Sequence, residues 1–279
     1  MAPVRLPKDE VFERYLVPFG RKNFRLADFD TRDKTCFPDR AAAEARTRED
    51  ISRIDVLQDV LYAQGKHALL VVLQAMDAGG KDGTIRKVFG PVDPLGLAAT
   101  NFKKPSEREL SQDYLWRVHK AVPPRGMIGI FNRSHYEDVL IVRVLGLVPG
   151  DEIERRYGQI KDFEKHLAEN GVTILKFYLH ISKDEQRERL QARLDEPNKR
   201  WKFNPADLKT RALWDEYMAA YEEALRRCST PWAPWFVVPA DRKWHRNAVI
   251  AHIVRQTMEG LDLGYPPEPP GLGDIVIDG

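Results

Sequence analysis

The chain predicts an α/β protein in which helices flank an open parallel sheet, and three observations carry that expectation. Apolar runs of strand length alternate with stretches of helical spacing. The first run passes directly into a glycine turn, a lysine and a helical segment. Charged and polar residues gather just after the second run, at the strand end where such sheets hold their ligands. With 279 residues, 43% hydrophobic and 31% charged, the chain can bury a sizeable core, and the balance excludes disorder, collagen-like repeats and a disulfide scaffold.

Residues 1–40 mix Pro, Asp, Arg and Phe without a sustained period and read as an arm laid over a single domain that takes in the whole of 1–279. Over 41–64, Ile51, Ile54, Leu57 and Leu61 recur at helical spacing, and Gly65 follows where a helix C-terminus favours glycine. Residues 68–73 are a continuous apolar run, as for a strand buried on both faces. Further strands are predicted at 127–131, 172–179 and 235–238, with long helical stretches between. Ser106 with Glu109, and Ser182 with Glu185, have capping-box spacing, and Asn204-Pro205 marks a third helix start. Gly171 closes the helical stretch 151–170, and Asp241 is the expected cap of a last helix reaching about Glu259. The helix after Ser182 breaks at Pro197 and restarts at Asn204, leaving a basic, aromatic tip. Residues 182–210 therefore read as a helical lid able to close over phosphates, and the tail 261–279 as an extended strap.

Lysine and arginine number 44 against 42 acidic residues, a formal net charge of +2, so a polyanion must be met by a local basic cluster. A generic nucleic-acid coat protein is excluded, and no nucleic acid partner is expected. Cys36 and Cys228 lie outside any metal-ligand spacing, which points to a reducing, cytoplasmic setting without zinc or disulfides. The first ten residues lack the apolar core of a signal peptide, and no segment reaches the ~20 apolar residues of a membrane span, so no membrane association is expected.

The first strand leads into Gln74-Ala75-Met76-Asp77-Ala78-Gly79-Gly80-Lys81-Asp82-Gly83-Thr84. Strand, glycine turn, lysine and helix make a P-loop arrangement: glycines let successive N–H groups point into one concavity, the helix N-terminus adds positive potential, and the lysine bridges phosphates. Measured against G-x-x-x-x-G-K-[ST], the first glycine is Ala75 and the usual magnesium-binding hydroxyl is Asp82. Asp77 and Asp82 are then the carboxylates beside the loop that could meet Mg²⁺. After the second strand, Asn132-Arg133-Ser134-His135-Tyr136-Glu137-Asp138 offers Arg133 to neutralise a phosphoryl group, and Glu137 or Asp138 to hold metal-bound water. Arg133 and Glu137 also have the spacing of a helical ion pair, and His135 reads as a packed ring. Arg187 and Arg189 read as a solvated helix face, whereas Arg193, beside the lid, is a candidate functional group. Arg86, Lys87, Lys103 and Lys104 are further basic groups, each ordinarily solvated.

Three separated segments together resemble the second family of polyphosphate kinases, over about residues 45–258: Met76-Asp77-Ala78-Gly79-Gly80-Lys81-Asp82-Gly83-Thr84, Phe131-Asn132-Arg133-Ser134-His135-Tyr136-Glu137-Asp138, and Trp201-Lys202-Phe203-Asn204-Pro205-Ala206-Asp207-Leu208. The resemblance implies a P-loop kinase-like core with a helical lid, and transfer of the terminal phosphoryl of inorganic polyphosphate to nucleotides with Mg²⁺. By position, Asp77 matches the family's Walker A aspartate, Lys81 its lysine, Arg133 the arginine after the second strand, and Arg193 with Asp207 its lid pair. Asn132 stands where the class restricted to nucleoside diphosphates has aspartate. With Ser134-His135-Tyr136-Glu137 after it, the chain is similar to the third class, which phosphorylates AMP and ADP to ADP and ATP; guanine nucleotides are further candidates.

On this reading Asp77, Lys81, Arg133 and Arg193 are catalytic, and Asp77, Asp82 and Glu137 meet the metal. Gly79, Gly80, Asp82, Gly83, Thr84, Arg86, Lys87, Lys103, Lys104, Asn132, Glu137 and Asp207 are expected to bind substrate, the basic groups as a track for the polymer. A homo-oligomer is implied by analogy. An ATP-dependent nucleoside-monophosphate kinase and a non-catalytic polyanion-binding module share these features, and exchange of the phosphate donor separates them.

Overall fold

Five strands, β1 (Ala68–Gln74), β2 (Leu97–Asn101), β3 (Ile128–Asn132), β4 (Val172–His180) and β5 (Trp235–Pro239), pair in parallel in the order β2-β3-β1-β4-β5. The computed structural model describes residues 7, 9–272, 275 and 277. Residues 1–6 and 8 of the expected arm and residues 273, 274, 276, 278 and 279 of the expected strap lie outside the described residues. β1, β3, β4 and β5 are buried along their whole length, which is why they read as largely apolar runs, with Thr173, Lys176 and His180 of β4 among the buried polar exceptions. After β1 the chain builds one side of the sheet with β2 and β3 and then crosses to the other with β4. The switch point falls at the C-terminal end of β1, where open sheets bind ligands.

Helices cover both faces: α1 (Glu10–Tyr15), α2 (Arg40–Gln64), α3 (Lys81–Thr84), α4 (Glu107–Leu110), α5 (Trp116–His119), α6 (Ile141–Val144), α7 (Gly150–Glu169), α8 (Lys183–Asp195), α9 (Ala206–Ala212), α10 (Trp214–Cys228) and α11 (Lys243–Glu259). α2 ends where Gly65 takes φ +61°, a left-handed cap.

Several expectations need correction. No long helix lies between β1 and β3: α3 passes into a π-helical turn at Ile85–Phe89, the capping box at Ser106 starts a helix of four residues, and β2 intervenes. β2 is an Ala/Thr-containing edge strand, half exposed, so no apolar run announced it. Asp241 does not cap α11: its carboxylate accepts from the Ser182 N–H at 2.8 Å and the Thr31 hydroxyl at 2.9 Å. The segment before α2 is more than a covering arm, since Val11, Phe12 and Tyr15 are buried in the core and the Val17 N–H donates to the Trp235 carbonyl at 2.8 Å.

Candidate active site

The register of the two central strands sets the site. Leu73 pairs with Asn132, and the Arg133 N–H donates to the Leu73 carbonyl at 3.0 Å, so the loop after β1 and the turn after β3 leave the sheet at one level. Ala78 and Arg133 both have positive φ, +60° and +61°, without being glycine. Such backbone costs about 1–3 kcal/mol at each residue and persists where the surroundings enforce it, commonly at functional sites.

What enforces it can be named. The Gln186 side chain donates to the Asp77 carbonyl at 3.0 Å, and Arg189 Nη1 donates to the carbonyls of Ala78 and Gly79, both at 3.1 Å. Arg189 Nη2 reaches the Ala240 carbonyl at 2.6 Å, tying the loop to the segment after β5. These bonds fix the carbonyls of Asp77, Ala78 and Gly79, and the Gly79 N–H donates to the Met76 carbonyl at 3.0 Å, so the loop is held in one shape. Gly80 takes φ +104° as the residue before α3, a conformation that glycine adopts without strain.

Lys81 is 9% exposed, and its ammonium donates to the Ala75 carbonyl at 2.8 Å and the Met76 carbonyl at 3.5 Å. Burial, reinforced by the nearby Arg133 charge, lowers its pKa to about 8. Arg133 Nη2 donates to Asp77 Oδ1 at 2.8 Å, and Nη1 lies 3.5 Å from Glu137 Oε2. Burial works against the Arg133 charge, but Glu137 and Asp77 outweigh it and its pKa moves up. Gln74 in turn donates to Glu137 Oε1 at 3.0 Å and accepts from the Ser134 hydroxyl, the amide orientation following from these partners. Arg133 and Glu137 thus pair, in a turn rather than along the helix their spacing suggested.

The other expected site residues divide. Asn132 donates to Asp82 Oδ1 at 2.7 Å, so the amide in place of an aspartate engages the carboxylate in place of a hydroxyl. The Thr84 hydroxyl donates to the Gly80 carbonyl at 3.2 Å, inside the loop's own backbone. Asp138 does not face the loop: it lies beside Arg156, and burial pushes its carboxyl up to about 6 against that guanidinium's pull. Asp77, Asp82 and Glu137 do not assemble as a three-carboxylate cluster, and among the described residues no three His, Cys, Asp or Glu do. Asp77 and Glu137 meet instead through Arg133. Lys103 and Lys104 are exposed just past the end of β2, on the same rim of the sheet. Arg86 and Lys87 are exposed on the π-helical turn and make no hydrogen bond to the other site residues among those described.

In the lid, Arg193 Nη1 donates to Asp207 Oδ2 at 3.0 Å and to the Lys202 carbonyl at 3.3 Å, joining α8 to α9 across the tip. Burial, then the negative charge of Asp77, pushes the Asp207 carboxyl up, so the lid pair lies within the field of the loop. Beneath the turn after β3, Lys176 and Glu164 are buried, 0% and 1% exposed, and joined at 2.6 Å. Glu164 also accepts from Tyr136 at 2.9 Å and contacts His135 at 3.1 Å, which fixes His135 as a packed ring.

Residues 38–263, which span every residue named in the loop, the turn and the lid, match the family model described as polyphosphate kinase 2. The chain belongs to the polyphosphate kinase 2 family. It is 54% identical over 263 residues to an AMP/ADP-polyphosphate phosphotransferase from Meiothermus ruber, covering 94% of this chain and 97% of that one. An ADP-polyphosphate phosphotransferase from Rhodopseudomonas palustris is 47% identical over 80% of this chain and 81% of its own. The crystal structure of polyphosphate kinase 2 from Arthrobacter aurescens superposes with a TM-score of 0.91 at 42% identity, covering 98% of this chain and 97% of that one. The sheet flanked by helices is therefore the P-loop kinase-like fold of this family, and the chain is an enzyme of the phosphotransferase class.

Sequence reasoning missed three groups in this polyphosphate kinase 2 site, and mistook one. Arg189 is not part of a solvated face, since its guanidinium is enclosed by four carbonyls and Glu185. The usable signal was spacing: Gln186, Arg189 and Arg193 recur at three and four along α8 and so share one face, toward the loop. Gln74 could have been noticed as the one polar residue closing an apolar strand. Arg246, whose guanidinium approaches Gly80 from α11, has no local signal at all.

Proposed function

We propose that the chain transfers the terminal phosphoryl group of inorganic polyphosphate to AMP and to ADP. A phosphate oxygen of the nucleotide attacks the terminal phosphorus, the bridging P–O bond to the chain breaks, and polyphosphate leaves shorter by one. The observation that carries this reading is Arg133, held in strained backbone between Asp77 and Glu137, level with the Lys81 loop. The attacking oxygen is already ionised near neutral pH, so no strong base is needed and the site has only to align the reactants and neutralise charge. The loop N–H groups and Lys81 suit the donor phosphates, Arg133 the group in flight, and Arg193 a lid that shuts out water. The AMP/ADP range rests on Asn132 and on the likeness to the Meiothermus ruber enzyme, whose name gives both acceptors.

Mg²⁺ fits this donor set: Asp77 and Glu137 offer two carboxylates beside the loop, and Mg²⁺ commonly takes one or two carboxylates together with substrate phosphates and water. When bound it neutralises charge on the phosphate oxygens. Asp77 and Glu137 meanwhile orient Arg133, and Asn132 keeps Asp82 turned toward β3. Among the described residues no helix is long and apolar enough to cross a membrane, and we place the enzyme in the cytoplasm, where its nucleotide substrates are. A homo-oligomer is part of the proposal.

The test is purified protein with Mg²⁺, long-chain polyphosphate and AMP, followed by nucleotide chromatography. ADP and then ATP are expected with polyphosphate as the only donor. Phosphorylation of AMP by ATP alone would establish the rival kinase, and polyphosphate binding without either product a non-catalytic module.

A further inference from the structure

Arg246, in the first turn of α11, is 2% exposed yet has no carboxylate partner among the described residues. Its Nε and Nη2 both donate to the side-chain oxygen of its neighbour Asn247, at 3.2 and 2.9 Å, and Nη1 has no hydrogen-bond partner among the described residues. Buried guanidinium groups are normally paired, because an uncompensated charge out of water is strongly destabilising. This one lies against the phosphate loop: a Cβ on Gly80 would stand 2.0 Å from Nη1, and one on Gly83 3.6 Å from Nη2. The absence of a side chain at Gly80 leaves room for it, whereas a Cβ on Gly83 would make ordinary contact.

The surroundings add positive charge. Arg189 lies on the same flank, 3.5 Å from the position a Gly80 Cβ would take, and no side chain caps α11 at its N-terminus. Burial, then Arg189, lowers the Arg246 pKa to about 9, and the same two causes, in the same order, lower that of Lys243. The nearby carboxylates are engaged elsewhere: Glu185 with Arg189 at 2.7 Å, and Asp241 with the Ser182 N–H and Thr31. In a P-loop the residues following the lysine, here up to Gly83, face the donor phosphates behind the one transferred.

Resting on the polyphosphate-kinase reading, we propose that Arg246, backed by Arg189 and Lys243, binds the donor chain beyond the phosphoryl group in flight. A donor that continues as phosphate supplies the counter-charge Arg246 lacks. A donor that continues as ribose and base meets a buried cation instead. Arg246 is thereby assigned to recognition of an inorganic chain as the donor class.

The test compares wild type with Arg246→Gln and Arg246→Lys, using long-chain polyphosphate and AMP. One charged hydrogen-bonding group is worth about 10- to 100-fold in affinity. Arg246→Gln should raise KM for polyphosphate by about that factor, with the KM for AMP unchanged and kcat within about threefold. The slope of log KM against log salt should fall by about one contact, and Arg246→Lys should recover part of the loss. The unliganded Arg246→Gln protein should melt no lower than wild type, since a buried unpaired charge has been removed. An unchanged polyphosphate KM, or a fall in kcat and melting temperature without one, would make Arg246 a scaffold residue and overturn the proposal. If wild type made no ADP from polyphosphate, the functional reading would fail separately, and the polyphosphate-induced rise in melting temperature, compared between wild type and Arg246→Gln, would still decide the binding site.

Discussion

Replacing Lys81 by methionine should separate stability from activity. The ammonium is buried in the loop with a pKa of about 8, against 10.5 for a solvated lysine, which costs the folded chain about 3 kcal/mol at neutral pH. Against this stand one good hydrogen bond to the Ala75 carbonyl and a long one to Met76, about 1 kcal/mol each. The loop has other supports, from Gln186, Arg189 and the Gly79 N–H to the Met76 carbonyl. Lys81→Met should therefore be more stable than wild type by about 1 kcal/mol at pH 7, while turnover falls about 10²- to 10³-fold through loss of a charge-stabilising donor. The sign with pH follows from the lowered pKa. Between about pH 8 and 10.5 the unfolded chain binds more protons than the folded one at this site, so wild-type stability rises relative to the variant and the gap closes. Denaturant titrations of both proteins at pH 7 and pH 10, with ADP formation at pH 7, measure this. A variant less stable at pH 7, or a gap indifferent to pH, would refute the account of a charge held against its own solvation.

Asp77→Asn should lower turnover by about 10²-fold and shift the Mg²⁺ titration to higher concentration, because the change removes both the proposed metal carboxylate and the Arg133 anchor; normal activity across the titration would reject the assignment. Arg193→Ala should act on kcat, by about 10²-fold, whereas Lys103→Ala with Lys104→Ala should raise the KM for long polyphosphate and do so more at higher salt; steady-state kinetics at two salt concentrations separate the two. Glu164→Gln strands the Lys176 ammonium in the core and should cost about 3–5 kcal/mol in denaturant unfolding, while Glu164→Leu with Lys176→Met should recover most of it.

The parts of this molecule that were legible beforehand are those whose physics is local. Leu69 to Leu73 needed no partner to read as a buried strand, and Gly79-Gly80-Lys81 needed only the strand before and the helix after. β2 was hidden because an edge strand of Leu97, Ala98, Ala99, Thr100 and Asn101, half solvated, has no apolar run to show. Asp241 looked like a helix cap because capping is the nearest employment for an aspartate before a helix; Ser182 and Thr31, 59 and 210 positions away, claimed it instead. The same distance hid the supports of the loop. Gln186 and Arg189 act on carbonyls more than a hundred positions upstream, and a carbonyl has no letter in the sequence.

That division also explains how a chain with a net charge of only +2 can hold a polyanion. Three cations of the site are already committed, Arg133 to Asp77 and Glu137, Arg189 to Glu185, and Arg193 to Asp207, while the Asn132 amide keeps the Asp82 carboxylate turned aside. Of these, the three arginines are held in place by their acids, and a phosphate that engages one exchanges a carboxylate partner for a phosphate partner, which changes geometry more than free energy. Lys81 and Arg246 have no such acid among the described residues, and both are buried. Arg246 gains a counter-charge only when phosphate arrives, whereas Lys81 already lies in the field of Asp77, Glu137 and Asp82 without an ion pair to any of them. The affinity for the donor should therefore draw most on Arg246, the alignment of the transferred group on Arg133 and Arg193, and Lys81 should serve both, a division that the paired and unpaired cations already display in the free protein.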